Sequence, residues 1–73
     1  MKTLEIRAEL SGIINKIHCE PGVSLAAGDL IATLEAMKLE VPIEAPAHGT
    51  LLSLHIAPGE MVEEDQLLAT LTL

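Results

Sequence analysis

Lys38 stands in the middle of Glu35-Ala36-Met37-Lys38-Leu39-Glu40, the stretch of this chain best equipped for chemistry. Its primary amine sits on a long flexible stem and is suited to forming an amide with a carboxylic acid. The other reactive side chains are less well arranged. His18, Cys19 and Glu20 are neighbours, with His55 far along the chain, and no spacing among them matches a zinc pattern. The Ser and Asp residues are scattered, with neither a nucleophile elbow nor a Gly-rich phosphate loop. Cys19 reads as a small apolar residue rather than a nucleophile. The expectation is a chain with no catalytic residue and no metal site, whose chemistry is done to Lys38 rather than by it.

The elements around Lys38 must then present it. Leu30-Ile31-Ala32-Thr33-Leu34 and Leu39-Glu40-Val41-Pro42-Ile43 are strand-like runs on either side, which makes Met37-Lys38 the tip of a β-hairpin. Two-residue tips favour Asn-Gly, Asp-Gly or other Gly-containing pairs, because the turn needs positive φ. Met and Lys give no such ease, and a tip that ignores turn chemistry is where function is expected to override it.

Ala36-Met37-Lys38 followed by a hydrophobic residue resembles the attachment motif of biotin carboxyl carrier proteins and biotinyl domains. The resemblance implies biotin held covalently on Lys38, as an amide made by a biotin protein ligase, with Glu35, Ala36, Met37 and Leu39 as the surrounding site residues. The usual motif has Met on both sides of the lysine; here Leu39 follows it. Leu for Met conserves volume and apolar character, so ligase recognition should survive, with an altered rate at most. The resemblance further implies a non-catalytic subunit of a carboxylase, decarboxylase or transcarboxylase. The carrier would take a carboxyl group at a biotin carboxylase site and deliver it at a carboxyltransferase site. A lipoyl carrier is the first alternative, although lipoyl motifs more often read Asp-Lys-Ala. An unmodified interaction module is the second.

Composition narrows the partners. The 73 residues suffice for one small domain, read here as 1–73, and a chain of this size buries only about 60% of its unfolded surface. With no Phe, Tyr or Trp, the core must be Leu, Ile, Val, Ala and Met, and stacking on single-stranded nucleic acid is disfavoured. Eleven acidic against four basic residues give a formal charge of −7, which argues against nucleic-acid or anionic-membrane partners. One cysteine excludes an internal disulfide, and neither a signal peptide nor an 18-residue apolar run is present. A cytoplasmic protein is expected. Carriers of this family in larger proteins have an Ala/Pro-rich linker or a thumb segment, and this sequence shows neither. It reads as a free-standing small carrier or a trimmed domain, with Met1 favouring the former.

The sequence also matches itself. Displaced by 37 positions, residues 1–36 lie on 38–73 without a gap, and ten of the 36 pairs are identical. Among them are Gly12 with Gly49, His18 with His55, Pro21-Gly22 with Pro58-Gly59, and Ala32-Thr33-Leu34 with Ala69-Thr70-Leu71. Chance gives on the order of two or three. Two copies are too few for a solenoid, so a pseudo-twofold fits better. Strands are expected at 4–8, 13–19, 23–25 and 30–35, repeating at 41–45, 50–56, 60–62 and 67–72. Residues 59–68 have helix-forming Glu63, Glu64 and Gln66, but the equivalent segment contains Gly28, so turn and strand are expected and no helix longer than one turn. Asp65 takes the place of Gly28 and tolerates a left-handed backbone. The result is all-β: a flattened barrel-sandwich of two four-stranded halves resembling the biotinyl/lipoyl fold. The repeat sets position 38 opposite position 1, so Lys38 should project from the end away from the termini.

The flanking residues keep two readings each. Met37 is an exposed recognition contact for the ligase or a gap-filling core residue, with the tip favouring the former. Leu39 shares its phase with Val41 and Ile43, and is either contact or core. Glu35 and Glu40 are a solvated cross-strand rim, or they select the ligase or carboxylase surface. His18 and His55 occupy equivalent repeat positions and read as structural. Glu60, Glu63, Glu64 and Asp65 form a solvated acidic turn.

Overall fold

A computed structural model describes residues 2–73. Eight strands follow one another: β1 (Thr3–Arg7), β2 (Gly12–Ile17), β3 (Ser24–Leu25), β4 (Leu30–Ala36), β5 (Leu39–Glu44), β6 (Gly49–Leu54), β7 (Met61–Val62) and β8 (Leu67–Thr72). Residues 59–68 hold turns and strands, and there is no helix among the described residues. Asp65 has φ 71°, the left-handed backbone that its equivalent Gly28 also adopts at φ 91°.

Two four-stranded antiparallel sheets form, in the orders β1-β8-β6-β3 and β5-β4-β2-β7. Adding 37 to β1 and β3, and subtracting it from β8 and β6, converts the first order into the second. Each sequence half gives two strands to each sheet, so the halves interlock rather than stack as separate layers. The correspondence extends to register. Thr3↔Thr72, Leu4↔Leu71, Glu5↔Thr70 and Ile6↔Ala69 match Glu40↔Glu35, Val41↔Leu34, Pro42↔Thr33 and Ile43↔Ala32, bulge included. Loop bonds obey the same rule: His18 and His55 each donate a backbone N–H at 2.8 Å, to the carbonyls of Ile31 and Leu68. β2 and β6 end at Ile17 and Leu54, just before these histidines and sooner than the sequence suggested.

The core lies between the sheets and is aliphatic throughout. Ile14, Ile31, Leu34, Leu51, Val62, Leu68 and Leu71 are its largest fully buried side chains. Gly12 and Gly49 allow the backbones to approach: a Cβ on Gly12 would strike the Glu35 carbonyl oxygen, and one on Gly49 the Thr72 carbonyl oxygen. The four sheet edges are blunted by two-residue β3 and β7, by Pro42 on β5, and by Glu5 and Arg7 on β1.

Thr33 is the one polar side chain among the described residues to be buried without a partner for its hydroxyl. Val has the same shape and leaves nothing unsatisfied. Thr33→Val is therefore expected to stabilise the fold by about 1 kcal/mol. For a domain of this size a thermal melt should show a rise of about 4–8 °C.

β6 carries the geometry from one end of the molecule to the other. It starts with Thr50 beside Thr72, near the C-terminus, and the loop that follows it brings Gly59 against Ile13 and Glu35, next to the hairpin tip. The tip and the termini thus occupy opposite ends of a body measuring 36 × 18 × 17 Å.

Candidate attachment site at the β4–β5 tip

β4 and β5 pair up to Ala36↔Leu39, leaving Met37 and Lys38 as a two-residue turn. Their φ angles are 52° and 65°. Positive φ at both central positions is the type I′ geometry, whose twist suits an antiparallel hairpin. For residues bearing a Cβ, each such angle costs about 1–2 kcal/mol. The hairpin tolerates this strain because Ala36 beneath it is buried and the strands on both sides are fully paired.

The turn aims its side chains outward. Lys38 is exposed and makes no hydrogen bond or ion pair with any described residue. Met37 is 88% and Leu39 67% exposed. Met37 therefore does not fill the core, and Leu39, despite its phase with Val41 and Ile43, lies beyond the end of it. Val41 and Ile43 pack against the core cluster while Leu39 stands clear. An amine that is unpaired, solvated and on a fixed turn fits the acceptor of an acyl group. The apolar side chains beside it have no packing role.

Glu35 and Glu40 are exposed and directly opposite each other in the hairpin, one row below Ala36 and Leu39. Asn15 donates from Nδ2 to Glu40 Oε2 at 2.9 Å. The Glu35 row continues through Ile13 on β2 to Met61 on β7. Sequence reasoning passed over Ile13, Asn15 and Met61, which only the pairing of β2 and β7 brings near the tip. The repeat marks Ile13 and Met61 only as apolar where their equivalents Thr50 and Ser24 are polar, and does not place them beside the tip.

The remaining candidates lie apart from the tip. Cys19 is half-buried, its thiol donates to the Ile31 carbonyl at 3.7 Å, and burial pushes its pKa up. A thiol so placed is poorly nucleophilic. His55 Nε2 lies 3.0 Å from Ser53 Oγ, and both are at the surface without a third polar group to complete a relay. Among the described residues no three His, Cys, Asp or Glu side chains converge as a metal site. Among the described residues no helix is long and apolar enough to cross a membrane.

Comparisons with known proteins agree with this geometry. The chain is 35% identical over 63 residues to pyruvate carboxylase of Bacillus subtilis, covering 86% of this chain and 6% of that protein. It is 25% identical over 68 residues to the biotinylated protein TB7.3 homolog of Mycobacterium leprae, covering 93% of this chain and 96% of that one. The solution structure of the lipoyl domain of the 2-oxoglutarate dehydrogenase complex from Azotobacter vinelandii superposes with a TM-score of 0.82. It shares 25% identity and covers 96% of both chains. The chain thus spans a small fraction of the carboxylase it matches. Residues 11–71 match the family described as "Biotin-requiring enzyme", and with the interlocked sheets and exposed lysine tip already in view, this chain belongs to the biotinyl/lipoyl attachment domain family.

Proposed function

We propose that this protein is a biotin carrier, with biotin joined to Nζ of Lys38. The observation that carries the reading is the exposed, unpaired lysine on a type I′ turn flanked by Met37 and Leu39. When bound, biotin would accept and donate a carboxyl group. The chain's own residues hold the amine at a fixed place, keep it solvated, and leave the core out of the chemistry. Carriers of this kind depend on the group they hold and contribute position. A biotin protein ligase would load Lys38, and a biotin carboxylase and a carboxyltransferase would use the loaded tip in turn. Tethering makes the second encounter nearly intramolecular. The repeat of 1–36 in 38–73, folded as one unit, supplies the platform. Likeness to pyruvate carboxylase and to a biotinylated protein supports biotin.

Lipoate is the second reading, favoured by one observation: the lipoyl domain of a 2-oxoglutarate dehydrogenase complex shares this fold over nearly its whole length. The same amine would serve either acid.

Intact mass after co-expression with a biotin protein ligase, and separately with a lipoate ligase, tests both. The expected result is a single biotin-sized increment, located on Lys38 by fragmentation and absent from Lys38→Arg. A lipoyl increment alone would transfer the protein to acyl-transfer complexes. No increment in either case would leave an unmodified interaction module.

A further inference from the structure

The pseudo-twofold supplies an internal control for the paired strand positions, because the two sheets share strand order and register. One row breaks the equivalence throughout. On the outer face of the tip-bearing sheet, Met61, Ile13, Glu35 and Glu40 lie side by side across β7, β2, β4 and β5. The same row of the other sheet is Ser24, Thr50, Thr72 and Thr3. The second row is what stability alone would choose: small polar residues, with Thr opposite Thr and the Thr72 hydroxyl donating to the Thr50 carbonyl at 3.3 Å.

The first row is costly on two counts. Met61 is 73% and Ile13 45% exposed, apolar surface that the fold does not cover. Glu35 and Glu40 place like charges directly opposite each other, an arrangement that opposes hairpin formation. Among the described residues the one ion pair is Arg7–Glu5, so no cation neutralises either glutamate. Asn15 donates a neutral hydrogen bond to Glu40 and holds it in place, but brings no opposite charge. At about 3.3 Å per residue along a strand, Glu35 and Glu40 lie roughly 7–10 Å from the turn, with Ile13 and Met61 one and two strands further across at about 4.8 Å per strand, within the footprint of an enzyme that engages Lys38.

We infer that the Met61–Ile13–Glu35–Glu40 row is a one-sided docking strip. Through it the enzyme that acylates Lys38 approaches from the β5-β4-β2-β7 sheet and never from the other. The inference rests on the carrier reading above. The partner's chemistry follows from the strip: a cationic rim for Glu35 and Glu40 beside an apolar contact for Ile13 and Met61. An enzyme that joins a carboxylic acid to an amine at the expense of ATP handles anionic phosphates, which call for Arg and Lys around its active site. Those same cations would meet the glutamates as the tip enters, steering the approach and setting its direction.

The test measures binding of the unloaded protein to a biotin protein ligase at low and moderate salt, alongside initial rates of loading. Three variants matter. Glu40→Lys changes the net charge by two on the strip. Thr3→Lys with Ser24→Lys changes it by two on the equivalent row. Ile13→Thr with Met61→Ser converts the apolar part of the strip to its own counterpart. The first and third are expected to raise Kd at least about tenfold, and the second less than about twofold, with melting temperatures at or above wild type for the first and third and near it for the second. The salt dependence of Kd should flatten in Glu40→Lys and persist in the apolar variant. Equal effects of the two charge variants would overturn the strip in favour of overall charge alone. Tight binding by the apolar variant would remove Ile13 and Met61 from it. Wild-type protein that neither binds nor is loaded would instead bring down the carrier reading, and the strip with it.

Discussion

Exchanging Met37 and Lys38 is expected to reduce biotin loading by at least about 100-fold while leaving the melting temperature within a few degrees of wild type. The two residues carry similar backbone angles, φ 52° and 65°, and both are solvated, so the exchange adds no strain and uncovers no core. What changes is direction. Successive positions of a type I′ turn send their side chains along different paths, and an amine displaced by one residue misses the attacking position by several ångströms. A misplacement of 1 Å can already cost on the order of 100-fold. Mass spectrometry of the exchanged protein after ligase treatment, beside a thermal melt, separates this from misfolding. Loading at a wild-type rate would mean that the stem's flexibility outweighs the turn's geometry, and that the strain at the tip has another cause.

Gly12→Ala is expected to cost about 3 kcal/mol, lowering the melting temperature by more than about 10 °C. The added methyl would meet the Glu35 carbonyl oxygen and come close to the Leu34 side chain. A side chain can rotate away, but the carbonyl belongs to β4, the central strand that runs up to the lysine tip, and it moves only if the sheet does. A domain of this size has only on the order of 4–11 kcal/mol in hand. Gly59→Ala gives the contrast. It meets nothing within 4 Å, and its cost comes only from φ 85°, so a loss of about 1–2 kcal/mol is expected. Chemical denaturation of the two variants side by side measures the difference. If Gly12→Ala is the milder of the two, β2 is not held against β4 as tightly as the geometry indicates.

Much of this architecture was legible in the sequence because the repeat constrains it twice. Pro21-Gly22 and Pro58-Gly59 mark the turns, Gly28 explains the backbone of Asp65, and Met37-Lys38 falls where two strand-like runs meet. What the repeat does not reveal is which strands become neighbours. Nothing in the sequence of Ile13 or Met61 says that β2 lies between β4 and β7, because pairing between strands far apart leaves no local pattern. Leu39 was undecided for a related reason. Alternation gives its phase, but only the position of the core's edge tells whether that phase still points at anything. Thr33 looked like one more member of Ala32-Thr33-Leu34, and its orphaned hydroxyl appears only when the neighbouring strands are in place.

The interlocking of the halves has a consequence for how the molecule comes into being. Residues 1–36 alone contain β2 and β4 but neither of the strands that flank them in the sheet, and the same is true of β6 and β8 in residues 38–73. No autonomous half exists for the chain to fold first. β8, the last of the eight strands in sequence, is an interior strand of its sheet, so that sheet cannot close until residues 67–72 are present. Folding dominated by such distant pairings is slow compared with that of helical domains of the same length. A ribosome-bound chain that has already exposed the lysine segment would therefore present it as a floppy peptide, and an enzyme that reads the finished turn would act only on completed molecules. On the carrier reading proposed above, the fold would double as a proofreading step, because fragments lack the finished turn.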